Sequence, residues 1–241
     1  MSEGAAARFL RTEGRLLLAL ALIVVLANVP YGRFVLYPFT LFSTWIHECC
    51  HALAAVMLGG RVDHIELFPD TSGLAWTATS NRIERAVVAS AGYTGTALAG
   101  AGLLLFRRRE LAGRVGLALL GAAMLASVLF WVRNPFGLLA TGAMGLALLV
   151  AGLKLPVGAA GSLYTFLAAV TSLDAITSVQ SLFGRMHIVN GQPAGSTDAR
   201  SVGELLFVPW FVWAGGWLVL ALICTFVGLR YALPGDDPTT R

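Results

Sequence analysis

The sequence predicts an all-α polytopic membrane protein, with about seven transmembrane helices and a β-hairpin inserted after the second. Three observations carry this prediction. Of the 241 residues, 57% are hydrophobic and 12% charged, and the mean hydropathy is +0.75; a soluble domain carries about 25% charged residues. The apolar residues gather into runs near the bilayer-spanning length of about 20. Between the second and third runs, the pattern switches to a period of two, as a half-buried strand requires. The net charge of +4 comes mostly from arginines at the ends of the apolar runs, and Lys154 is the single lysine. Such charge suits a membrane interface. No basic patch tracks phosphates, so no nucleic-acid partner is expected.

Residues 1–12 form a polar tail ahead of one membrane domain spanning 13–233. The first span runs from about Gly14 to Val29 and stops at Pro30. Arg8, Arg11 and Arg15 precede it as in a signal peptide, but no small-residue cleavage site follows, so the segment reads as retained. The second span starts near Phe34, carries Pro38 in its first turn and ends at Gly59-Gly60, a natural helix stop. Residues 61–80 alternate polar with apolar around Pro69-Asp70-Thr71-Ser72-Gly73, which predicts a hairpin. Later spans cover about Ile83–Phe106, Leu111–Val132, Phe136–Leu153, Val157–Phe183 and Val202–Tyr231. A polar loop, 184–201, precedes the last of these, and 234–241 form a polar tail. Three cysteines make no disulfide framework. Lysines and arginines divide evenly between alternate loops, so they assign no orientation.

The second span contains His47-Glu48-Cys49-Cys50-His51, an H-E-x-x-H sequence. On a helix, residues four apart lie on one face, so the two imidazoles converge on one point. That spacing suits Zn²⁺, with Glu48 beside it as general base. Cys49 is turned about 200° away from His47, and Cys50 on the flank is a packing residue before it is a ligand. The alternative is two core histidines hydrogen-bonded within a helix bundle.

A catalytic zinc takes three protein ligands and keeps a fourth position open. Asp174 is the candidate third ligand, because it is the only acid besides Glu48 well inside an apolar run, where an unpaired carboxylate costs several kcal/mol. A hydrogen bond to a neighbouring Ser or Thr is the alternative for it. Asn134, in Asn134-Pro135-Phe136-Gly137 between two spans, is expected to bind substrate backbone, orient the site or cap the turn. His64 and His187 read as exposed loop histidines, and Asp198 as the N-cap of the final helix.

Taken together, the H-E-x-x-H helix, Gly59-Gly60, the hairpin, and Ala89-Ser90-Ala91-Gly92 opening the next span resemble the site-2 protease family, and in particular its compact bacterial branch without PDZ domains. The likeness is strongest over residues 43–103. It implies an intramembrane zinc endopeptidase of a bacterial inner membrane, acting on transmembrane segments of other proteins. Zinc would be held by His47 and His51, with Glu48 as the base. The hairpin would receive substrate as an added strand, with Ile65 and Leu67 as contact positions. The family's third-ligand motif, Asn-Pro followed by Leu-Asp-Gly in a later helix, is imperfect here: Asn134-Pro135-Phe136-Gly137 has phenylalanine where an aspartate would help, and Leu173-Asp174-Ala175 has alanine for the glycine. A non-cleaving metal-binding scaffold is therefore one rival reading. A cation- or proton-coupled transporter is another, although no repeated half with a matching broken helix accompanies it.

Overall fold

The structure is a computed structural model and describes residues 3–106, 112–183, 188–193 and 196–232. The described residues form eight α-helices in chain order: α1 (Glu3–Asn28), α2 (Gly32–Met57), α3 (Arg82–Phe106), α4 (Ala112–Phe130), α5 (Pro135–Lys154), α6 (Val157–Thr177), α7 (Asp198–Leu206) and α8 (Trp210–Ala232). Between α2 and α3 lies the antiparallel hairpin β1 (Arg61–Leu67) and β2 (Gly73–Ala78). A second, very short hairpin, β3 (Ile188–Val189) and β4 (Gln192–Pro193), precedes α7. Helix α1 already begins at Glu3, so it takes in most of the stretch expected to be a polar tail. His187 and the tail 234–241 lie outside the described residues.

Among the described residues, five helices are long and apolar enough to cross a membrane: α3, α4, α5, α6 and α8. Helices α1 and α2 pass the same test only as a pair, bent by 118° at their break, which makes up to six spans where about seven were expected. The expected count scored them separately. At the break, Tyr31 adopts φ 65°, a left-handed turn that redirects the chain after Pro30. Large apolar side chains such as Leu139, Phe130 and Phe226 are exposed on the outer faces, as a lipid-facing surface requires.

The last expected span is two helices. Phe207 adopts φ 58°, and Pro209 supplies no N–H, so α7 ends at Leu206 and α8 restarts at Trp210. The preceding span is likewise shorter than expected: α6 stops at Thr177 and a 3₁₀ turn covers Ser178–Phe183.

Helix α3 lies at the centre, packed against α2, α6, α7 and α8. Its small residues permit close approach. Ala86 and Tyr93 of α3 join Ala199 and Val202 of α7 and Ala214 and Trp217 of α8 in one buried cluster. A larger core gathers Phe42, Trp45, Ile46 and Cys49 of α2 with Ile65 and Leu67 of β1 and Leu117 and Met124 of α4. Trp45 Nε1 donates to Ser127 Oγ at 2.9 Å within it, tying α2 to α4.

Candidate metal centre and cleft

The α2 helix presents His47 and His51 on one face, as their spacing requires, with ring centroids 4.7 Å apart. The Nδ1–H of His51 donates to the Val88 carbonyl of α3 at 2.7 Å. That bond fixes the ring and leaves Nε2 free to ligate. His47 is held differently, edge-on to Tyr93 at 4.7 Å, and Tyr93 stacks at 5.2 Å on Trp217 of α8. Gly92 is where α3 comes closest: a Cβ there would collide with Nε2 of both histidines.

The carboxylate that meets these imidazoles is Asp198. Its Oδ2 lies 3.4 Å from His47 Nε2 and 3.5 Å from His51 Nε2. Among the described residues, these three form the group whose donor atoms converge, all within 4.8 Å of one another. Donors about 2.0–2.1 Å from a tetrahedral zinc are spaced roughly 3.3–3.4 Å apart, and the two separations from Asp198 Oδ2 to the imidazoles match that spacing. Burial alone would raise the Asp198 carboxyl, but His51 and His47 more than offset it and hold it below the usual carboxylate range.

Asp198 was expected to cap a helix. Instead, Thr197 occupies the cap position and Asp198 is the first residue of α7, its carboxylate turned to the histidines. The first turn of a helix favours a negative charge. Packing of Ala199 and Val202 against α3 carries it to that place. Asp174, the expected third ligand, lines the same cleft from the end of α6 but is not in the converging group. The signal that could have found Asp198 is Pro209: it divides the apolar run and leaves a short helix with Arg200 and Glu204, too polar to span lipid, whose first residue is an acid.

The three donors and Glu48 open onto a cleft of about 980 Å³, walled by α2, α3, α7 and the hairpin. Strand β2 starts directly over Glu48: a Cβ on Gly73 would collide with Cγ and Oε1 of that side chain. The tip of the hairpin is anchored by Tyr37 Oη and Thr44 Oγ1, which donate to the carbonyls of Pro69 and Thr71 at 2.8 and 2.7 Å. From the other side, the amides of Asn190 and Gly191 donate to Ser72 Oγ and Asp70 Oδ2, each at 3.0 Å. Burial would raise the Asp70 carboxyl, but bonds from Ser72 and Gly191 keep it below its ordinary value.

The two edges of the hairpin are unlike. Ile65 N–H donates to Trp131 O at 2.8 Å, and Ile65 O accepts from Arg133 N–H at 3.1 Å. Asn134 completes this edge, its Oδ1 accepting from Leu67 N–H at 3.1 Å and its Nδ2 donating to Leu67 O at 2.6 Å. The side chains of Ile65 and Leu67 are fully buried. The β1 edge expected to face substrate is therefore occupied by the chain's own residues 131–134, and Asn134 serves as a surrogate strand partner. On β2, Leu74 and Trp76 face Glu66 and His64, so alternation turns the backbones of Ala75 and Thr77 to the opposite edge. Among the described residues, no main-chain group pairs with that edge. Ala75 and Thr77 line the cleft.

A multi-pass helical fold with His47, Glu48, His51 and Asp198 around one cleft defines a membrane protein with a metallopeptidase-like centre. Residues 16–228 match the Peptidase M50B-like family, and the chain belongs to that family, one of the site-2 protease type. No curated protein and no solved structure matches the chain.

Proposed function

We propose that this protein is an intramembrane zinc endopeptidase, with His47, His51 and Asp198 as ligands and Glu48 as general base. The observation that carries the reading is the placing of Asp198 Oδ2 at 3.4 and 3.5 Å from the two Nε2 atoms, a ligand spacing completed beside an intact Glu48. The donor set of two imidazoles and a carboxylate fits zinc, and bound zinc would supply Lewis acidity and lower the pKa of a water toward neutrality. Glu48 takes the proton of the attacking water and delivers it to the leaving amine as the peptide C–N bond breaks.

The substrate class is a transmembrane or membrane-anchored segment of another protein. A helical segment hides its carbonyls in its own hydrogen bonds and must unwind to react. Ala75 and Thr77 would then accept it as a strand laid along β2, with Gly73 setting the strand's approach to Glu48. We extend the reading to a bacterial inner membrane on the resemblance to the compact bacterial branch. The test is cleavage of a tagged transmembrane substrate in detergent by zinc-loaded wild type and by Glu48→Gln. Cleavage by wild type alone is expected; equal cleavage, or none by either, would contradict the proposal.

A further inference from the structure

We infer that Arg85 selects substrates bearing an acidic side chain a few residues from the scissile bond; this rests on the peptidase reading above. The cleft is rich in carboxylates, with Glu48, Asp70, Asp174 and Asp198 all lining it, and Arg85 is the one arginine among its lining residues. Among the described residues, no ion pair or side-chain hydrogen bond engages the Arg85 guanidinium. Its nearest acid in sequence, Glu84, is committed elsewhere: it accepts from Ser80 N–H at 2.8 Å and from Asn81 Nδ2 at 2.7 Å. Arg85 is exposed and lines the same cleft as Ala78 and Thr79. Arg85 thus brings to the cleft wall a positive charge with no partner among the described residues, one that an acidic side chain of a bound substrate could pair with.

The position along the substrate follows from the two walls. Strand β2 starts over Glu48 at Gly73 and ends at Ala78, whose carbonyl abuts Gly60 just past the end of α2. A strand laid on the Ala75 and Thr77 edge therefore runs from the base toward the first turns of α3. On α3, Arg85 is one turn ahead of Val88, whose carbonyl holds His51. Three helical residues advance about 4.5 Å, and the side chain leans further toward the helix start. An extended substrate advances about 3.3 Å per residue, which puts the guanidinium opposite a residue roughly two to four positions from the scissile bond.

The experiment maps the cleavage site of a neutral transmembrane substrate by mass spectrometry. Asp, Ala or Lys is then placed singly at each of the five positions on either side. Wild type should favour Asp over Lys about two- to fivefold at one of the positions two to four residues away, the scale of a solvent-accessible ion pair. Arg85→Glu should reverse that preference at the same position, and Arg85→Gln should abolish it, with zinc content reporting an intact site in both. An Asp-to-Lys ratio in Arg85→Glu equal to wild type would overturn the proposal. So would a change equal for all substrates that appears only with anionic lipid, which would assign Arg85 to phosphate headgroups. Failure of wild type to cleave even the neutral substrate would instead sink the peptidase reading itself, and this inference with it.

Discussion

The two walls of the cleft are built by different means. On one wall, α2 carries His47, Glu48 and His51 within a single turn, and α3 closes on them through Gly92 and the Val88 carbonyl. Every element of that wall is fixed by local spacing and by one helix crossing. On the other wall, Asp198 arrives from α7, about 150 residues further along the chain, and is placed by the packing of Ala199 and Val202 on α3. A helix repeat cannot report that placement. The proposed base and two of the proposed ligands are thus placed by one helix, whereas the third proposed ligand is placed by the bundle.

The largest expected effect falls on the α2 wall. Glu48→Gln should lower cleavage by at least about a hundredfold, since an amide cannot accept the proton, while zinc content stays near wild type. Measuring both on one preparation separates the base from the ligands. Gly92→Ala should come next, because its methyl group would press on both Nε2 atoms and displace the ligands. Zinc affinity should fall about 10- to 100-fold, as when groups supporting a metal site are disturbed. Titration with a competing chelator measures it, and unchanged affinity would show that α3 does not bound the site so closely.

The hairpin sharpens the comparison with a smaller effect. Thr77→Pro would remove one N–H from the open β2 edge, so cleavage should fall about five- to tenfold, the worth of roughly one hydrogen bond, with zinc retained. Ile65→Pro would instead break the bond from Ile65 N–H to Trp131 O in the buried interior. It should lower thermal stability by a few kcal/mol and reduce cleavage only through unfolding. If Ile65→Pro keeps full stability, the bonded β1 edge is not what holds residues 131–134.

Much of this was legible in the sequence, for physical reasons. The i, i+4 imidazoles, the hairpin after Gly59-Gly60 and the break at Asn134-Pro135 are encoded in short-range spacing, and the structure has each of them. What was not legible depends on long-range partners. Alternation in residues 61–67 identifies a strand but cannot say that residues 131–134 occupy its outer edge, so Ile65 and Leu67 looked available. Asp174 stood out because a carboxylate inside an apolar run is costly, and it does line the cleft. Asp198, in a stretch that read as a polar loop, gave no such signal, since only the packing of α7 brings it to the histidines. The missed break at Pro209 has the same origin: the apolar run masked a proline that ends one helix before the next begins.

The central claim is that Asp198 completes the metal site and Asp174 does not. It is tested most directly by bound zinc per protein in Asp198→Ala and Asp174→Ala, purified side by side in one detergent, with folding checked by circular dichroism. The account predicts that Asp198→Ala loses most of its zinc while Asp174→Ala keeps close to one ion per chain. Retention of zinc by Asp198→Ala together with its loss from Asp174→Ala would contradict it.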